Sequence, residues 1–132
     1  MGYTDNFRAQ HDDILKAAGE ITSQLAQGEP AALRKLLSNL AGKVNFHLAM
    51  EDEGLYPRLM EVPSARARAL KFKDEMGGLG RVFTDYSNKW QVSAIRADRE
   101  GFAQETRKIF GALARRIERE NNELYPLADK VT

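Results

Sequence analysis

Four stretches of this chain carry core-type residues at steps of three and four, the spacing of an α-helix with one face in a core. The first runs Phe7, His11, Ile14, Ala18, Ile21, Leu25. The second is Leu33, Leu37, Leu40 and Val44, and its register continues to His47 and Glu51. The third is Ala69, Phe72, Met76, Leu79, Phe83, Tyr86, Trp90, and the fourth is Phe102, Thr106, Ile109, Leu113, Arg116, Glu120, Leu124. Gly28-Glu-Pro30, Val62-Pro63-Ser64 and the turn at Asp98 separate them. The reading is all-α: an antiparallel up-down four-helix bundle with helices near residues 4–27, 31–53, 65–95 and 99–122. Thr4, Ser64 and Asp98 are the expected N-caps, and Pro57 and Pro126 the expected helix ends.

The stripes repeat. His47-Leu-Ala-Met-Glu51-Asp-Glu-Gly-Leu-Tyr-Pro57 returns as Arg116-Ile-Glu-Arg-Glu120-Asn-Asn-Glu-Leu-Tyr-Pro126, an offset of 69 residues (47 to 116). A fainter echo aligns Phe7, His11 and Ile14 with Phe72, Met76 and Leu79, an offset of 65 (7 to 72). The bundle therefore reads as two helix-hairpin copies. The first copy offers His11, His47 and Glu51; the second offers Met76, Arg116 and Glu120 at the equivalent places. Gly77, Gly78 and Gly80 interrupt the third stripe, each costing roughly 1 kcal/mol against alanine. Close helix packing accounts for them, and a cavity beside Met76 is the alternative.

At 132 residues the chain is long enough for one domain, residues 1–132, with a real core. A net charge of +1 with no basic stripe speaks against nucleic acid. There is no cysteine, which excludes disulfides, thiolate metal sites and cysteine nucleophiles and is compatible with a reducing cytoplasm. The expectation is a cytoplasmic protein with no signal peptide and no membrane span.

Polar residues on a core stripe need a reason, because a buried carboxylate requires a partner, a proton or a metal. His11, His47, Glu51, Arg116 and Glu120 all lie on such stripes, at heights that antiparallel packing brings into one layer. Imidazole and carboxylate are the ligand set of iron, zinc or manganese. The expected metal ligands are His11, His47, Glu51 and Glu120. Met76 and Arg116 are expected to line the same site. Tyr56 and Tyr125 read as packed aromatics at helix ends.

The pattern His11 … His47-x-x-x-Glu51 … Leu55-Tyr-Pro57 … Glu120 … Leu124-Tyr-Pro126 resembles the hemerythrin family, the HHE cation-binding bundles. The resemblance covers nearly the whole chain. It implies an iron pair held by histidines from four helices and bridged by acidic residues, and roles in oxygen binding, oxygen or nitric oxide sensing, or iron handling. Two ligand positions depart from the family pattern: the third-helix histidine falls on Met76 and the fourth-helix histidine on Arg116.

These departures set the functional expectation. An intact di-iron centre is not expected. One metal ion or none is, in a sensor or adaptor module that meets a protein partner, rather than in an oxygen carrier or an enzyme. The alternative is a working di-iron protein that draws on other ligands such as Glu75 or Asp12. Arg116 and Glu120 are four residues apart, and a guanidinium can donate to two carboxylates. Arg116 is thus expected to bridge Glu51 and Glu120, in the place of the second metal.

Overall fold

The helices begin and end where local chemistry allows. In the computed structural model, which describes residues 2–131, α1 spans Asp5–Gln24 and α2 spans Pro30–Gly54. Pro30 opens α2, where its missing N–H costs nothing. A short α3, Tyr56–Met60, precedes α4, Pro63–Lys89. Then come α5, Val92–Ala97, and α6, Arg99–Arg119. A π-helical turn over Glu120–Leu124 joins α6 to α7, Tyr125–Val131. No strand occurs among the described residues, and no helix among them is long and apolar enough to cross a membrane.

Among the long helices, α1 packs on α2, α2 on α4, α4 on α6 and α6 on α1. Their stripes meet in two apolar clusters. The larger includes Ile14, Ile21, Leu37, Val44, Phe83 and Leu113. The smaller includes Phe7, Leu55, Tyr56, Phe72, Leu124 and Tyr125. His11 follows Phe7 and precedes Ile14 on α1, so it falls where the clusters meet; on α2, His47 and Glu51 fall between Val44 and Leu55 in the same way.

Several local expectations need correction. Pro57 and Pro126 do not end helical structure: each is the second residue of a new helix, where a proline is tolerated. Thr4 precedes α1 but does not cap it, because its hydroxyl and backbone N–H turn to Asp129 at 2.9–3.1 Å. Ser64 lies inside α4, which starts one residue earlier on Pro63. Asp98 caps α6 as expected, accepting from the Gly101 N–H at 2.9 Å. The third helix stops at Trp90 rather than running to 95. Arg34 of α2 reaches the Ser87 and Trp90 carbonyls there and satisfies the helix end.

The glycines of α4 do not break it. A Cβ on Gly80 would stand 2.9 Å from Leu48 Cδ1, so Gly80 marks a close approach of α4 to α2. Beside it, Met76 and Gly77 line an open cavity of about 350 Å³ together with Leu48, Asp52, Tyr56 and Arg81. Close packing and a cavity beside Met76 are thus both present.

Candidate metal centre

His11, His47, Glu51 and Glu120 are fully buried, and one ligand atom from each lies within 4.8 Å of the others. That spread is about twice a metal–ligand bond of ~2.1 Å, so the group could hold one metal ion. Each imidazole is fixed from behind. His11 Nδ1 donates to Asn121 Oδ1 at 2.8 Å, and His47 Nδ1 donates to Gln10 Oε1 at 2.7 Å. Both Nε2 atoms therefore face the cluster. His11 Nε2 is 2.9 Å from Glu120 Oε1. His47 Nε2 is 3.3 Å from Glu51 Oε1 and 3.7 Å from Glu120 Oε1. The two rings are 4.5 Å apart, centre to centre.

A fifth side chain enters this space. The Tyr125 hydroxyl donates to Glu51 Oε2 at 2.6 Å, and lies 3.1 Å from His11 Nε2 and 3.3 Å from His47 Nε2. The π turn places it there. The Tyr125 N–H bonds to the Glu120 carbonyl five residues back, so Tyr125 rises over Glu120 instead of being rotated away, as five α-helical residues would require. The reading of Tyr125 as a packed aromatic missed this. The available signal was weak: in the sequence, Glu120 and Tyr125 have the same separation as Glu51 and Tyr56. In the first copy the Leu55 N–H bonds to the Glu51 carbonyl in α-helical register, 2.9 Å. Tyr56 departs with that register, and its buried hydroxyl has no hydrogen-bond partner.

Without a metal, protons carry the charge balance. Burial alone would pull the His47 imidazole down, but its bonds to Glu120 and Glu51 outweigh burial and raise it from 6.5 to about 9. Burial, joined by the negative charge of Glu120, pushes Glu51 up. Glu120 is held low despite burial, because both histidines bond to it. Burial and the two carboxylates push the Tyr125 phenol far above its ordinary range.

Arg116 does not take the place expected of it. Its guanidinium bonds to the Glu75 carboxylate and to the Phe72 carbonyl, the latter at 3.1 Å, and lies 4.4 Å from the Phe72 ring centre. It bridges neither Glu51 nor Glu120 among the described hydrogen bonds and ion pairs. Arg116 starts on the core stripe, but its side chain is long enough to carry the charge to the α4 edge. Glu75 sits there; burial pushes its carboxyl up, but the charges and hydrogen bonds of Arg116 and Arg119 together hold it below its ordinary value. Glu75 is therefore engaged by arginines, and Asp12 is exposed on α1. Met76 is buried in the larger apolar cluster.

The donor set fits a metal. Among the described residues, Glu120 Oε2 is buried without a hydrogen-bond partner, and Glu51 Oε1 has only the 3.3 Å ion-pair contact to His47 Nε2; buried carboxylate oxygens so weakly paired are costly. A cation among two imidazoles and two carboxylates satisfies both. No curated protein and no solved structure matches this chain. The model of the hemerythrin HHE cation-binding domain matches residues 3–128. The chain therefore belongs to the hemerythrin HHE cation-binding domain family.

Proposed function

We propose that this chain is one domain, an antiparallel four-helix bundle, that holds a single metal ion, iron foremost, at His11, His47, Glu51 and Glu120. It serves as a sensor or adaptor module for a protein partner. The observation that carries the reading is the pair of fully buried carboxylates, with Glu120 Oε2 left without a hydrogen-bond partner, beside two imidazoles whose outer nitrogens are already bonded. Bound iron supplies a redox-active Lewis acid. The chain's own part is to exclude water, orient both imidazoles and neutralise the charge. The second half of the repeat supports one ion rather than two, because Met76 offers only a soft thioether in an apolar cluster and Arg116 brings a positive charge to Glu75.

Elemental analysis of the purified chain, loaded separately with ferrous, zinc or manganese ion, tests the reading. One ion per chain is expected. The same ion should raise the melting temperature, since a ligand at 100 times its Kd stabilises by about 2.7 kcal/mol. His47→Ala and Glu120→Gln should lose that increase. No retained metal and no shift in melting would overturn the reading, and two irons per chain would overturn its single-ion form.

A further inference from the structure

We propose that Tyr125 is a further ligand of this metal, binding through its phenolate oxygen. The inference rests on the metal-binding reading above and adds a donor of a different chemical class. A tyrosine hydroxyl has one proton to give, and here the 2.6 Å bond to Glu51 Oε2 takes it. Yet the same oxygen also stands 3.1 Å from His11 Nε2, 3.3 Å from His47 Nε2 and 3.5 Å from Glu120 Oε1. The oxygen thus stands where a donor in one shared coordination shell would stand. With bonds of ~2.1 Å, neighbouring donors around one ion lie ~3 Å apart. The His11–Glu120 and His47–Glu51 separations, 2.9 and 3.3 Å, are of the same size.

The backbone supports the assignment. The i to i+5 bond of the Glu120–Leu124 turn puts Tyr125 over Glu120, and π turns of this kind recur at functional sites. Tyr56 is the counterpart in the first copy and is equally buried, but the Tyr125 hydroxyl alone of the two is bonded into the cluster. Charge points to the metal's oxidation state. Two carboxylates balance a divalent ion, whereas two carboxylates and a phenolate balance a trivalent one. A buried site favours neutrality, so Tyr125 biases this one toward ferric iron. On metal entry the phenol gives up the proton it now shares with Glu51, His47 gives up the proton on Nε2, and both leave to solvent.

The test uses the full chain loaded with ferric citrate, with bound iron counted by elemental analysis and read by absorption and resonance Raman spectroscopy. The parent and Tyr56→Phe should show a phenolate-to-iron charge-transfer band in the visible, with enhanced phenolate ring modes. Tyr125→Phe should still bind iron and lose both signals. Iron bound by the parent without the band would overturn the proposal while leaving metal binding intact. So would a band kept in Tyr125→Phe, or one lost in Tyr56→Phe. A parent that binds no iron would overturn the metal reading and this proposal with it. If Tyr125→Phe does not fold, parent protein grown with ring-deuterated tyrosine decides: ring modes that do not shift refute phenolate ligation.

Discussion

Gln10 and Asn121 each accept from the outer nitrogen of a histidine, and this decides which way the imidazole lone pair faces. Neither amide touches the cluster centre, but partners of this kind typically change metal affinity about 10–100-fold. Gln10→Leu and Asn121→Leu should each weaken binding by about that factor without losing the fold, as measured by competition with a chelator. Unchanged affinity in both would mean that the ring orientation is set by packing alone. Arg116 gives the opposite expectation. It bonds to Glu75, so Arg116→Met should leave metal affinity at the parent level. The pH dependence comes from Glu75. Its carboxyl is held below its ordinary 4.5 in the fold, so the stability it contributes is present above 4.5 and lost as pH falls through the lower folded value. Glu75 is 37% exposed, so that contribution is small, below about 1 kcal/mol. Denaturant midpoints of parent and Arg116→Met should differ most near neutrality and converge in acid. A difference that grows in acid would show that Glu75 is not the partner that matters.

The decisive element is the π turn. In an α-helix the residue four positions after Glu120 shares its face, whereas in this turn the residue five positions after does. Removing one residue from the turn therefore returns it to α register without moving Tyr125. Deletion of the exposed Asn122 should be tolerated, with the melting temperature near the parent's and the ferric band retained. Insertion of one alanine after Asn122 should be severe. It swings Leu124, Tyr125 and Ala128 out of positions that are now fully buried, and exposing one large apolar side chain alone costs about 1.5–3 kcal/mol. Equal stability of the insertion and deletion chains would mean that the turn does not set the register of α7. The first copy lacks a π turn and has the other outcome: the α-helical bond into Leu55 carries Tyr56 toward the cavity beside Met76.

Across the whole molecule, the first and last helices clasp one another beside the site. Asp129 of α7 receives the Thr4 N–H and hydroxyl, and Arg8 of α1 donates to the Asn121 carbonyl at 3.1 Å. Arg8 also lies 5.3 Å from the Tyr125 ring centre, and Phe7 and His11 stack on that ring. The clasp holds Tyr125 against the His/Glu cluster from the outside. Asp129→Ala removes the partner of a buried Thr4 and should cost about 1–3 kcal/mol. The loss should be local. Amide exchange over 125–131 should quicken, while the middle of α2 keeps its protection. Uniform loss of protection along the chain would show that the clasp belongs to the global fold rather than to local order at α7.

Much of this was open to inspection in the residues alone. Steps of three and four depend only on the geometry of one helix, so four stripes were enough to find the long helices. Their heights on the stripes, with antiparallel packing, were enough to bring His11, His47, Glu51 and Glu120 into one group. A hydrophobic stripe places Cα atoms, and short side chains stay near where their Cα atoms are put. Arg116 and Tyr125 have long side chains, and there the reading failed in both directions. Arg116 left the layer because Glu75 and the Phe72 carbonyl were within its reach on a neighbouring helix. Tyr125 entered it because one turn took an i to i+5 bond. Periodicity carries neither fact: the first is set by packing between helices, and the second by a backbone register, i to i+5 from Glu120 to Tyr125 and α-helical from Glu51 to Leu55, that the spacing of Glu and Tyr in the two copies does not reveal.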